Sequence, residues 1–187
     1  MQAGTAGRLV SEQVEKMLFQ GYAGKFGGLS VYGYTSHPDV NTSVFGTNGN
    51  WAQTAKTGAD CLVDVLSMIK VLEADRMFGP YWLYVDSLAS TKLEEDFKAN
   101  GDKTIRQRLL EVDRLQAITV ADQMPANHVV LVQATADVVQ LCEGEPLQTI
   151  QWDIQGGFQI NFKAFTIQVP LIRSDDQGRS GIFDMHA

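Results

Sequence analysis

The residues best suited to chemistry are His37, His128, His186, Cys61, Cys142 and two short acidic runs. Their spacing decides what they could do. His37 precedes a proline, His128 opens a predicted strand, and His186 is next to the last residue. None adjoins a serine or cysteine in a recognisable nucleophile motif, although a triad is a spatial arrangement that spacing alone does not settle. The cysteines and histidines lie too far apart for a zinc spacing. Glu94, Glu95 and Asp96 in "KLEEDF" are consecutive, so on a helix they point in different directions and cannot jointly grip one ion. A solvated face is expected. Asp175 and Asp176 in "RSDDQGRSG" lack calcium-loop spacing and read as an exposed turn. "GKFGG" and "GGLSVYG" are glycine-rich, but neither gives the Gly-Lys-Ser/Thr of a phosphate loop nor a GxGxxG between strand and helix. The junction Val85-Asp86-Ser87-Leu88 has the strand-to-helix form that holds a ligand in many enzymes, yet its cap has no Gly-rich loop. Local motifs therefore support no catalytic, cofactor-binding or metal-binding residue.

The whole-chain numbers are ordinary for a folded globular protein. With 187 residues and 44% hydrophobic content, the chain suffices for one large domain or two small lobes around a sizeable core. Its net charge of −7 disfavours coating a phosphate backbone, where affinity comes from Lys and Arg displacing counterions. Cys61 and Cys142 both sit among apolar residues and are expected to be buried free thiols. "MQAGTAGRLVSEQVEK" has no apolar signal-peptide core, and no run approaches the length of a membrane span. Synthesis and folding in cytoplasm are expected.

The elements that would position any site follow from periodicity. Ser11 to Gln20 reads as a helix capped by Ser11, striped by Val14, Met17 and Leu18, and ended by Gly21. Residues 21 to 50 hold seven glycines among scattered aromatics and read as an ordered irregular segment with one short strand, Leu29 to Val31. Thr57 to Phe78 predicts a helix with Leu62, Val65, Leu66, Ile69 and Leu72 inward, stopped by Gly79-Pro80. Tyr81 to Val85 predicts a strand buried on both faces. Asp86 or Ser87 caps a helix carrying Ala89, Leu93 and Phe97, and Asp102 or Thr104 caps another with Ile105, Leu109 and Val112 inward. Arg106, Arg108 and Arg114 make that second helix locally basic, a contact surface for an acidic neighbour. Trp51, Trp82 and Trp152 read as core or interface anchors.

Strands are expected at Ala117–Val120 and His128–Val132, then a hairpin turning at Gly156-Gly157. After Ala164 the apolar alternation flips phase to Phe165, Ile167 and Val169. Such a flip means a bulge or a strand passing between two cores; the second is expected, with Pro170 ending the strand. Helices first and strands last suit an α+β fold.

This order of elements resembles that of encapsulins and tailed-phage major capsid proteins, which share the Hong-Kong-ninety-seven-type capsid fold. The resemblance rests on "FGPYWLYVDSLASTKLEEDFKANGDKTIRQRLLEV", on "FQINFKAFTIQVPLI", which is similar to the family's closing strand, and on "GGLSVYGYTSHPDV" before the long helix. It covers roughly residues 21 to 173 and implies an α+β phage major capsid fold with an axial (A) and a peripheral (P) domain. The implied division is 1–54 for a peripheral-domain helix and irregular segment, 55–155 for the axial domain, and 156–187 for a return strand and tail. Lys98, Ala99, Asn100, Gly101, Asp102 and Lys103 would then form a loop where five or six subunits meet at a capsomer axis. The family's N-terminal arm and extended E-loop have no counterpart here, and no Lys–Asn cross-link is assigned. The implied function is a structural coat protein that self-assembles through pentamers and hexamers into an icosahedral shell around a viral genome, in virions assembled in host cytoplasm. Other virion proteins are possible partners; no cofactor, membrane or specific nucleic-acid recognition is implied. The alternatives are an encapsulin-like nanocompartment shell packaging a cargo enzyme, distinguished by neighbouring genes, and a small α+β enzyme or ligand-binding protein, distinguished by a deep pocket of converging polar groups.

Overall fold

The computed structural model describes residues 2–26, 28–98, 101, 103–157 and 159–187. Its centre is a five-stranded sheet in the order β3 (Asn41–Val44), β9 (Ile182–His186), β6 (His128–Gln133), β4 (Tyr81–Val85), β5 (Leu115–Val120). The outer pairs β3–β9 and β4–β5 are parallel, and the inner pairs are antiparallel. Helices and strands mix as an α+β fold.

Alternation along β6 and β9 sends side chains into two cores. Val129 and Leu131, with Phe183 and Met185, join the larger core under helices α2 (Gly58–Ala74), α3 (Ser87–Leu93) and α4 (Ile105–Leu110). Val130, Val132 and Ile182 face the other way, toward Phe19, Tyr34 and Val40. Here helix α1 (Gln2–Gln20) closes the second core, with the Phe19 ring edge-on to Tyr34 at 5.5 Å and to Tyr84 at 5.3 Å.

Local chemistry sets the helix ends. Thr57 and Thr104 each close a capping box, with Asp60 and Gln107 as the reciprocal partners. Asp86 caps α3 through Ala89 N–H. Helix α1 begins nine residues before Ser11, whose hydroxyl donates to Gly7 O within the helix and caps nothing. Gly21 does end it, at φ 77°, where a Cβ would lie 2.5 Å from Val31 O. Helix α2 stops at Ala74, before Gly79-Pro80. Arg76 turns left-handed at φ 64° and Met77 N–H returns to Leu72 O, so the helix closes in a Schellman turn. The inward face of α2 also differs from the expected one. Cys61, Asp64, Val65, Met68, Ile69 and Leu72 are buried, Leu62 is half-buried and Leu66 is exposed. The expected stripe omitted Asp64 because it is charged. Strand β4 buries Tyr81, Leu83 and Val85 fully, but Trp82 on the other face is exposed.

The remaining layer is a long ribbon, β7 (Val139–Ile154) with β8 (Gln159–Ile172), packed against α1. Its turn uses Gly156 and Gly157 at φ 67° and 94°. Phe158 lies outside the described residues. Strand β8 pairs with β7 from end to end and continues past Pro170 to Ile172. The register shifts, between Glu143 and Glu145 and between Glu145 and Gln148, place the extra residues on β7, so β8 itself runs regularly and its apolar residues change face along its length. The strand does not pass from one core to another. The division expected at 155/156 falls in the turn of this ribbon, and the segment after it returns to the five-stranded sheet as β9. A small ribbon, β1 (Tyr22–Phe26) with β2 (Leu29–Val31), follows α1.

Candidate functional site

Two surfaces and one side-chain cluster deserve description. The first surface is the ribbon. Thr166 and Gln168 of β8 line a small recess with Val10, Ser11 and Val14 of α1, so the even-numbered residues here face the helix. The odd-numbered ones, Ile167, Val169 and Leu171, are exposed, Ile167 by 63%. Cys142 stands opposite Val169 in register and is exposed too, so the expected burial of both thiols holds only for Cys61. Burial pushes the Cys61 thiol up to about 12. Toward the tip, Ile150, Trp152, Ile154 and Ile160 are also exposed. Ile167 and Val169 also border an open recess with Met17 of α1, Tyr22 and Val31, so this stretch of β8 presents large apolar side chains at a surface depression.

The second surface is the loop at 98–103. Ala99, Asn100 and Asp102 lie outside the described residues. Lys98 and Lys103 are exposed and Gly101 is half-buried. The loop is pinched by an antiparallel bridge between Asp96 and Thr104, by Phe97 N–H to Lys103 O at 2.9 Å, and by Gly101 N–H to Lys98 O at 2.8 Å. Lys103 pairs with Glu111 and holds that carboxyl below its ordinary range. The arginines expected to meet an acidic neighbour are paired inside the chain. Arg106 binds Glu94, Arg108 binds Glu111, and Arg114 binds Glu73. Glu95 pairs with Lys92, and the run Glu94 to Asp96 is exposed as expected. Asp175 closes its own turn on Arg179. Of the tryptophans, Trp51 is buried, whereas Trp82 and Trp152 are exposed.

The cluster joins two histidines that sequence reading kept apart. His128 and His186 are register partners on β6 and β9, with Asp184 between them. Asp184 and His186 lie two residues apart, the strand period that puts both on one face, but nothing local says which strand they pair with. His37 stands elsewhere, its Nδ1 accepting from Asp39 N–H.

The arrangement of this sheet, helices and ribbon is that of shell proteins. Compared with solved structures, the chain is similar to a virus-like particle from Pyrococcus furiosus, with TM-score 0.73 and 16% identity over 97% of this chain. It is likewise similar to the capsid of Myoviridae phage XM1, with TM-score 0.78 and 10% identity over 98% of this chain. The fold is the capsid and encapsulin-type fold. The chain spans 66% and 63% of the length of those two shell subunits. No curated protein sequence matches it. The chain belongs to DUF6260, a family of unknown function, matched over residues 3–185.

Proposed function

We propose that this chain is a shell-forming subunit that packs against further copies of itself in the coat of a tailed bacteriophage. The observation that carries this reading is the likeness of fold over 97–98% of the chain to a virus-like particle and a phage capsid. The exposed apolar row on β8 supports it, because apolar side chains arrayed on one face mark an interaction surface. On this reading the five-stranded sheet with α2, α3 and α4 is the axial domain, the ribbon with α1 is the peripheral domain, and Lys98 to Lys103 approach neighbours at the capsomer axis. Many copies of a modest contact, closed by symmetry, supply the stability of such a shell. The net charge of −7 suits a container that does not grip nucleic acid tightly. No helix among the described residues is long and apolar enough to cross a membrane.

The experiment is negative-stain microscopy and sedimentation of the full chain beside the Ile167→Asp/Val169→Asp variant. Rings or particles are expected for the parent chain and a shift to monomer for the variant, with an unchanged circular dichroism spectrum. A parent chain that stays monomeric at the highest soluble concentration refutes the reading. Whether a shell holds genome or a cargo enzyme is read from what co-purifies inside it.

A further inference from the structure

His128 and His186 stand directly opposite each other on antiparallel neighbours, which puts their side chains on one face of the sheet. Asp184 shares that face. His128 Nδ1 lies 2.8 Å and 3.1 Å from the two oxygens of Asp184. His186 Nδ1 lies 3.3 Å from Asp184 Oδ2, and the two rings stack at 5.2 Å with 20° between planes. The Asp184 side chain is only 2% exposed, and its buried carboxylate is met by imidazoles alone at this face. One feature calls for a further participant. His186 Nδ1 is buried and makes no hydrogen bond, although Asp184 Oδ2 is near. Nearly all buried polar atoms in folded proteins are paired.

We propose that His128 Nδ1, the Asp184 carboxylate and His186 Nδ1 form a three-ligand site for a divalent cation of the zinc type. Two imidazole nitrogens with one carboxylate oxygen suit zinc and its first-row neighbours, whereas magnesium and calcium prefer all-oxygen sets. Tetrahedral ligands at about 2.0–2.2 Å from an ion lie roughly 3.3–3.5 Å from one another. The three ligand atoms here all lie within 4.8 Å of one another, so side-chain rotation closes the set with no change of strand register. Both histidine side chains are partly exposed, which leaves a path for the ion and room for water as a fourth ligand. The ion would satisfy His186 Nδ1, neutralise the buried carboxylate, and clip β9 to β6 in the middle of the sheet. This inference does not depend on shell assembly.

The test uses the full chain with any affinity tag removed, in a Cys142→Ser background so that the exposed thiol does not compete. The protein is stripped with a chelator and titrated with Zn²⁺ against a chromophoric competitor, and its melting is followed in parallel. One ion per chain is expected, with a melting temperature that rises with Zn²⁺ as binding to the folded state demands and does not respond to Mg²⁺. His128→Gln and His186→Gln should each weaken binding by more than the roughly 10–100-fold that changes around the ligands cost. Co²⁺ bound to the unmutated ligands should show the visible bands of a tetrahedral site, a readout independent of the variants' folding. Stoichiometry well below one, equal affinity in the double variant, an equal response to Mg²⁺, or absence of those bands overturns the proposal.

Discussion

Asp64→Leu is the sharpest perturbation of the larger core. Lys56 Nζ lies 2.6 Å from Asp64 Oδ2, and the two side chains are 0% and 4% exposed. The same oxygen accepts from Trp51 Nε1 at 2.9 Å, while the ammonium also donates to Thr47 O at 2.9 Å and lies 5.8 Å from the Phe45 ring centroid. Removing the carboxylate strands the ammonium, a loss of about 3–5 kcal/mol for a buried pair. The retained bond to Thr47 and the Phe45 face pull the figure down. The buried indole N–H left without an acceptor pushes it up by roughly 1–3 kcal/mol. The expected net loss is therefore about 4 kcal/mol, or roughly 8–16 °C of melting temperature at this chain length. Lys56→Met/Asp64→Leu removes both charges, so it should return to within about 2 kcal/mol of the parent, the residue being the unpaired Trp51. Urea unfolding of the four members of the cycle, followed by tryptophan fluorescence, measures the coupling. An Asp64→Leu cost under about 1 kcal/mol, or a double variant as unstable as the sum of the singles, refutes the reasoning.

Other expectations follow from single groups. Leu83→Ala empties a fully buried site in β4 and should cost about 2–5 kcal/mol by the same unfolding assay. Asp86→Ala strands two N–H groups at once, Ala89 at 2.8 Å and Asn127 at 3.0 Å, and should cost about 2–3 kcal/mol, more than an ordinary cap. Asp60 has its carboxyl lowered from 3.8 to about 2, first by Thr57 N–H and then by Asn48. A depressed carboxyl contributes stability above its unfolded value and loses it as pH falls through the folded one. The melting difference between the parent and Asp60→Ala should therefore be constant at neutral pH and shrink between pH 4 and 2, as scanning calorimetry would show.

What the sequence revealed about the fold depended on how local the cause was. The helix starts at Thr57, at Asp86 or Ser87, and at Asp102 or Thr104, with the Gly156-Gly157 turn, are short-range signals, and the structure settles the caps on Thr57, Asp86 and Thr104. Helix α1 was underestimated because Gly4 and Gly7 weigh against helix on propensity, while packing on β8 overrides them. Strands β3 and β9 were missed for the opposite reason. "NTSV" and "IFDMH" are short and lack apolar alternation, and they become strands by pairing across the chain, β3 with β9 and β9 with β6. The inward turn of Asp64 was hidden because only its partner Lys56, eight residues earlier, makes a buried charge tolerable there. Of the six loop residues, the sequence could name an exposed turn but no contact. The pairing of His128 with His186 was invisible, since it needs the register of two strands far apart in sequence.

The ribbon remains the element whose own energetics ask for something more. A two-stranded ribbon alone is marginal in water. Here α1 covers one side, and that side receives Thr166 and Gln168 in place of the larger apolar residues. Were the ribbon stabilised only within this chain, the apolar side chains belong against the helix and the polar ones in solvent. Ile167, Val169 and Leu171 are nonetheless exposed, bordering open recesses shared with Met17, Tyr22, Val31 and Tyr32. The bulges at Glu143–Glu145 and Glu145–Gln148 shift the β7 pairing without breaking the ribbon. A register that exposes the larger residues forfeits burial at about 25 cal/mol per Å² of apolar surface. That loss is recovered if another copy covers the face. The exposed row on β8 is therefore where the proposed contact between copies would recover the most apolar surface, and the Ile167→Asp/Val169→Asp variant tests that face directly.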